Sequence, residues 1–256
     1  MTTDGTVWYL VDSGACHPHF NMALDEAFLL HMPPGFPVVL RFYDWDPPGL
    51  SLGYFQRFDE PPAPQADLFG AVVTRRTTGG GAILHRGEIT FSIAGGEGRP
   101  PFDRSVEESY HVIHGAIACG LARIGIAAAL REEVPSLSQG TKEHAAGRCF
   151  YAVTGYDLVA GGRKLVGSAQ RRKDQRILHH GSIPLEPNPM TPEAACVYDL
   201  AGREHSRETV QAAIARGIEE AFAVELEAWE PGSELLAVAR RIVDAKYGTD
   251  AWLRRR

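Results

Sequence analysis

Apolar and polar positions alternate in short runs early in the chain and recur at helical spacing later, and that change of period predicts the elements. TVWYLVDSG reads as a strand. NMALDEAFLLHM, Asn21 to Met32, carries its apolar residues at helical spacing, with Asn21 as the expected N-cap and Pro33-Pro34-Gly35 as the stop. PVVLRFYDW and LSLGYF, separated by the Pro47-Pro48-Gly49 turn, predict a hairpin. After a proline-rich loop over Glu60 to Pro64, AVVTRRTTGGGAILHRGEITFSIAGG predicts a strand, a glycine-rich bend and two further β pieces ending near Ile93. SVEESYHVIHGAIACGLARIG is the clearest helix: Ser105 and Glu108 form a capping box, and Val112, Ile113, Ala116, Ile117 and Leu121 make its apolar stripe. A β-rich block runs from about Phe150 to Leu185 with a turn expected at Gly161-Gly162, and from Arg207 onward the chain reads as helical. Without an internal repeat, the expectation is one α+β domain, a mixed β-sheet with flanking helices.

Composition narrows the classes. With 44% apolar and 23% charged residues over 256 positions, the chain is an ordinary globular sequence with little room for extended disorder. Lys and Arg total 26 against 32 Asp and Glu, a net charge of -6, so the molecule as a whole has no footprint for nucleic acid. Arg75-Arg76, Arg171-Arg172-Lys173 and Arg254-Arg255-Arg256 are local basic clusters, read as solvated faces or a tail. Cys16, Cys119, Cys149 and Cys196 show neither CxxC spacing nor a secreted framework, and no leader or long apolar segment is present, so a reduced cytoplasmic protein without membrane contact is expected. The sequence also lacks H-E-x-x-H and clustered carboxylates, so no metal and no other cofactor is expected.

Two glycine-rich stretches are candidates for chemistry. Gly79, Gly80 and Gly81 permit positive φ and close backbone approach, yet they fit neither the Walker pattern nor G-x-G-x-x-G before a helix. They read either as a bend or as part of a slot with apolar walls and the basic flank of Arg75-Arg76. His85 reads as a structural hydrogen bonder, since no carboxylate or serine is spaced for it. In GRCFYAVTGYDLVAGGRK, Cys149 precedes Lys164 by fifteen residues. With the turn at Gly161-Gly162, Lys164 falls beside Leu158. The nine residues back to Cys149 span about 30 Å if extended, so the two meet only if the chain near Thr154-Gly155 folds back. The residues alone leave two readings open: a nucleophile with its partner, or a buried thiol and a sheet-edge lysine.

NMALDEAFL, SLGYFQ, RRTTGGGAILH, and GRKLVGSAQRR followed by ILHHGSI together resemble the lipoate–protein ligase and octanoyltransferase family. The likeness runs from about Trp8 to Leu185 and is weaker around KYGTDAW. It implies a biotin/lipoate ligase-like catalytic domain in which the lysine of K-x-x-G-S-A-Q, here Lys164, contacts the acyl carbonyl. Arg76 with Gly79, Gly80 and Gly81 would line the acyl slot, and His85, Gly167, Ser168 and Ala169 complete the candidate substrate-binding set. Ligases of the family use ATP and normally carry an additional C-terminal domain. Transferases pass octanoyl from acyl carrier protein through a cysteine thioester. One transferase branch has its cysteine downstream of the lysine, where this chain has HHGSIPLEP. The ligase-like branch of Gram-positive bacteria has it upstream, in a setting that Cys149-Phe150 and Tyr156-Asp157-Leu158 fit. Because the chain ends near Arg256, the expectation is one catalytic domain over 1–256 without the ligase accessory domain, acting as a monomer.

The resemblance thus implies an octanoyltransferase of protein lipoylation. Cys149 attacks the octanoyl thioester; Lys164 stabilises the thiolate, which at a reference pKa of about 8.5 needs help, and positions the carbonyl. Backbone N–H groups around Gly167-Ser168 or the Gly79 loop would meet the oxyanion. The implied partners are octanoyl-acyl carrier protein, the lipoyl domains of 2-oxoacid dehydrogenases and the glycine cleavage H protein, with Arg171, Arg172 and Lys173 as candidate docking charges. The alternatives are an ATP-dependent lipoate–protein ligase, an octanoyl amidotransferase between lipoyl proteins, and a non-catalytic binder.

Overall fold

The computed structural model describes residues 6–133 and 155–256. β1 (Thr6–Cys16) leads into α1 (Pro18–His31), β2 (Val39–Trp45) and β3 (Gly49–Leu52); a 3₁₀ turn (Ala63–Phe69) precedes β4 (Val72–Arg75), β5 (Ile83–His85) and β6 (Glu88–Gly96). Then come α2 (Val106–Ala122), β7 (Ala129–Leu130), β8 (Leu158–Ala160), β9 (Arg163–Lys173), β10 (Arg176–Pro184) and α3 (Val197–Ala201). The chain closes with α4 (Arg207–Phe222), β11 (Val224–Ala228), α5 (Ser233–Ile242) and α6 (Asp250–Leu253). Among the described residues the strands form a sheet ordered β11-β1-β2-β6-β10-β9-β8-β7 and a smaller one ordered β4-β3-β5. The large sheet is mixed: β1 lies parallel to β11 and β2, and β2, β6, β10, β9, β8 and β7 pair antiparallel in turn. This is the expected α+β architecture.

Helices cover both faces of the large sheet. α2 and α4 pack on one face, where Ile113, Ile117, Leu121, Ile214 and Ile218 are buried against Phe42, Phe91 and Leu165. Each such side chain stabilises the fold by about 1.5–3 kcal/mol. The two helices approach closely through glycines: a Cβ at Gly217 would lie 2.2 Å from the Ala116 carbonyl oxygen, and one at Gly120 would lie 2.4 Å from that of Ala213. α1 and α5 cover the opposite face with Met22, Leu24, Phe28 and Ala239. The capping box at Ser105 and Glu108 forms as expected, and Gly161 and Gly162, at φ 55° and 76°, make the turn between β8 and β9. No described helix is long and apolar enough to cross a membrane.

Several expectations are corrected. Asn21 is not the N-cap. His17 caps the helix and Pro18 opens it, while Asn21 sits inside, its Nδ2 donating to the carbonyls of Cys16 (3.2 Å) and Asp44 (2.8 Å). β2 and β3 do not form a hairpin, because β2 is already paired on both sides, by β1 and β6, so β3 turns away into the small sheet. The last quarter is not wholly helical: Ala223 adopts φ 50°, ends α4 and sets β11 beside β1. Lys164 pairs with Val159 rather than Leu158, and Leu158 slips to Val166 across an irregularity in the ladder. The Arg75-Arg76 pair, read either as a solvated face or as the basic flank of a slot, is buried.

Candidate active site

β9 and β10 carry the site, one set of side chains on each face. On the α1 face a small cavity is walled by Met22, Tyr43, Trp45, Arg76, His85, the β9 stretch Gly167–Ala169 and His180–Ser182 of β10. Its volume is about 20 Å³, room for roughly one water. Trp45 stacks on His85 with ring centroids 3.8 Å apart, giving the cavity an aromatic wall.

The sequence places two carboxylates under this cavity, and the fold surrounds each with donors. Asp25 of α1 accepts from Arg41 Nη1 (2.7 Å), Tyr43 OH (2.9 Å) and Ser92 Oγ (2.9 Å), with His180 Nδ1 at 3.4 Å. Burial alone would raise its carboxyl, but the Arg41 charge and the His180 and Arg41 contacts outweigh it and leave Asp25 below its ordinary value. Glu88 faces His85 Nδ1 at 2.5 Å and accepts from the hydroxyls of Thr90 and Ser182. Burial again works upward and is outweighed, first by His85 and then by the two hydroxyls, so Glu88 is held ionised. His85 Nε2 lies 2.6 Å from Ser51 Oγ. The histidine therefore has both the serine and the carboxylate that the sequence reading denied it: Glu88 returns three residues on across the turn at Gly87, and Ser51 arrives from β3.

Arg76 is clasped by the backbone. Its Nη1 donates to Ser51 O (2.8 Å) and Ser51 Oγ (2.6 Å), its Nη2 to Gly79 O (3.1 Å) and Gly81 O (2.8 Å). Gly79 and Gly81 thus bear on the cavity through Arg76, whose guanidinium their carbonyls orient. Gly80 has φ 94°, and its carbonyl would lie 1.9 Å from a Cβ at Gly53, which accounts for the glycine in SLGYF.

On the α2 face Lys164 is buried, with Nζ 2.8 Å from Asp157 Oδ2. Beside this pair stands His114 of α2. Its Nδ1 bonds the Tyr156 carbonyl and its Nε2 lies 2.7 Å from Ser168 Oγ. Burial lowers the His114 pKa to about 4; the Tyr156 carbonyl and Asp157 oppose this and Lys164 adds to it. A carbonyl can only accept, so the neutral ring carries its proton on Nδ1, and the Ser168 hydroxyl donates to Nε2. Ser168 therefore reaches the cavity through its backbone and spends its hydroxyl on α2. β8 pairs with β9 no further than Val166, so among the described residues the outer edge of β9 from Gly167 onward has no strand beside it.

The structure thus brings Arg76, His85, Gly167, Ser168 and Ala169 to one cavity and sets Lys164 on the same strand three residues before Gly167. Cys149 lies outside the described residues. His179 and His180, adjacent on β10, point to opposite faces: His179 packs 4.8 Å from Tyr110, while His180 meets Thr78 Oγ1 at 2.7 Å. The sequence reading missed His114, Ser51, Glu88 and the role of Asp157. Only Glu88 and Asp157 carried a local signal, the first three residues from His85 and the second within the Y-D-L setting.

A family model described as the lipoyl protein ligase A/B catalytic domain matches residues 17–219. Octanoyltransferase LipM of Anoxybacillus flavithermus is 36% identical over 272 residues, covering 96% of this chain and 97% of its own. Octanoyltransferase LipM of Kyrpidia tusciae is 37% identical with 96% and 97% coverage, and that of Bacillus subtilis 33% with the same coverage. Among solved structures, the putative lipoate protein ligase Ta0514 from T. acidophilum superposes with a TM-score of 0.80 at 22% identity, over 97% of this chain and 99% of that one. A lipoate-protein ligase A bound with ATP gives 0.78 at 23% identity, over 98% of each chain. Fold, motifs and near-full-length likeness agree, and the chain belongs to the lipoyl protein ligase A/B catalytic domain family.

Proposed function

We propose that this chain is an octanoyltransferase of protein lipoylation, moving an octanoyl group from an acyl carrier protein thioester to a lysine of a lipoyl domain. The observation that carries the reading is the buried Lys164–Asp157 pair set three residues before the Gly167–Ala169 wall of an apolar cavity, in a chain similar over 96% of its length to octanoyltransferases. A ligase neighbour of the same fold was solved in a study with its E2 lipoyl domain, which supports a lipoyl domain as acceptor.

In the first half-reaction the Cys149 thiolate adds to the thioester carbonyl. The tetrahedral oxyanion collapses to a thioester on Cys149, and the carrier leaves as a thiolate that takes up a proton. In the second, the ε-amine of the acceptor lysine adds to that carbonyl, loses a proton, and expels the Cys149 thiolate to leave an amide. Thioester exchange is nearly balanced and amide formation is downhill, so neither nucleotide nor metal is needed. Lys164, oriented by Asp157, supplies a positive charge for the thiolate and the polarised carbonyl. Alternate N–H groups of β9 from Gly167 onward, on the edge that no described strand pairs, are the oxyanion donors in this reading. The buried Cys196, whose thiol is pushed up by burial and by Asp199 against the pull of Arg163 and an Asp199 backbone hydrogen bond, is the thiol to set against Cys149.

Intact-protein mass spectrometry after mixing with octanoyl-acyl carrier protein, without ATP, tests this. The native chain and Cys196→Ala gain one octanoyl group, and Cys149→Ala gains none. An adduct surviving in Cys149→Ala, or product that forms only with ATP, overturns the reading in favour of another nucleophile or a ligase.

A further inference from the structure

The face of β9 that walls the acyl cavity at Ala169 continues to Arg171 and Lys173, each step of two residues advancing about 7 Å. There a second cavity, of about 120 Å³, opens between Arg171, Lys173, Lys246, Arg255, Tyr54 and Trp252. The two cavities are lined by neighbouring residues of the same elements. Arg76 lines the first and Thr77 the second, and on α1 Met22 lines the first and Glu26, one turn on, the second.

Charge in the second cavity runs against the molecule's net -6. Lys246 is matched by Glu26, with Nζ 2.6 Å from Oε2. Arg171, Lys173 and Arg255 have no carboxylate partner among the described residues. Arg255 lies over the rings of Tyr54 (4.0 Å) and Trp252 (4.7 Å), and Arg171 over Tyr54 (5.5 Å), so aromatic faces hold the guanidinium planes while their N–H edges stay available. Burial pushes the Lys246 ammonium below its ordinary value; Glu26 opposes this, and Lys173 and Arg171 push it further down, so the cations repel one another across the cavity. Arg172, between them in sequence, faces the other side and is occupied by Glu97, the Arg104 carbonyl and Ser109.

We propose that this cavity seats the phosphate of the phosphopantetheine arm that carries the acyl donor. The inference rests on the transfer reaction proposed above. An arm whose thioester sits at the acyl cavity must lead away from it, and the phosphate is the arm's one ionised group. β9 and α1 lead from that cavity to three cations with no carboxylate partner among the described residues, two of them guanidiniums that can meet phosphate oxygens in pairs. Volume and concavity suit a single compact anion.

The test compares two small donors, octanoyl-4′-phosphopantetheine and octanoyl-pantetheine, by the kcat/KM for forming the acyl-enzyme. The phosphorylated donor is expected to win by roughly tenfold or more in the native protein, the scale of one or two charge-assisted hydrogen bonds. The ratio is expected to fall to about one in Arg171→Ala/Arg255→Ala and to shrink in Lys173→Glu. Because both donors meet the same folded enzyme, partial unfolding of a variant cancels from the ratio. A native ratio near one, or a ratio that the double variant leaves unchanged, overturns the assignment. So does a double variant that weakens octanoyl-acyl carrier protein while sparing the small-donor ratio, since the arginines then meet the carrier's acidic surface. If the native protein forms no acyl-enzyme with any thioester donor, the transfer reading falls as well; if it does and the ratio fails, only the phosphate site falls.

Discussion

His179 and His180 are neighbours on β10, yet they face different chemistry. His180, on the α1 face, sits between Thr78 and Asp25, in a network where Asp25 and Glu88 each gather several donors from different elements. His179, on the α2 face, stacks among Phe91, Tyr110 and His114, and its pKa is driven well below the ordinary value by burial, then by His114 and His180. On that second face the ionic pair is Lys164 with Asp157, close to where the chain leaves for residue 149. The contrast separates two uses of buried charge. The α1 network ties α1, β2, β6 and β10 together under the cavity, whereas the α2 cluster holds a lysine beside the strand edge where the chemistry is proposed.

The sharpest way to break this comparison is Arg41→Met, which leaves the Asp25 carboxylate buried without its main counter-charge. Removing one partner of a buried pair is expected to cost about 3–5 kcal/mol, read as a lower midpoint in denaturant unfolding. If stability hardly moves, the α1 network is not structural. Next comes Lys164→Arg, which keeps a positive charge but not the compact ammonium; octanoyl transfer per folded enzyme should drop by about 10²-fold or more, roughly 3 kcal/mol. Retention of full activity would place Lys164 with the scaffold.

A smaller effect follows from His114. Its folded pKa of about 4 lies below the ordinary 6.5, so the unfolded chain binds the extra proton first. The stabilisation is complete above pH 6.5, is lost as pH falls toward 4, and amounts to about 2 kcal/mol lost by pH 5. His114→Gln, neutral throughout, should flatten that part of the stability–pH curve; an unchanged slope would show that the ring is not held neutral by its burial on α2. Of similar size is the effect expected of Asn21→Ala, about 2–3 kcal/mol from three lost hydrogen bonds, one of them accepted from the buried Arg41 guanidinium, measured by thermal unfolding.

Much of the fold was legible in local spacing. The stripe at Ile113, Ala116, Ile117 and Leu121, the box at Ser105 and Glu108, and the turn at Gly161-Gly162 all appear where period and turn chemistry put them. The misses have one cause in common. Asn21 looks like a cap from its own neighbours, but Pro18 and the carbonyls of Cys16 and Asp44 claim it for the helix interior. VELEA is too short for its alternation to outweigh the helix before it, and only the waiting edge of β1 makes it a strand. Within the site, His85 and Glu88 are near neighbours in sequence, so their pairing was within reach of a local reading. Ser51 lies 34 residues away and His114 lies 54 from Ser168, and no spacing rule connects them.

The sequence by itself determined the periods of the elements, the turn that aims Lys164 and the motif set that marks the family, because each is a matter of residues within a few positions of one another. Only the tertiary structure decided which charges meet. Asp25 finds His180 across 155 residues, and Ser51 arrives from β3 to help the Gly79 and Gly81 carbonyls clasp the buried Arg76. The physical reason is that a buried charge is tolerated only where the closed sheet delivers its partners, and that delivery is set by which strands lie side by side.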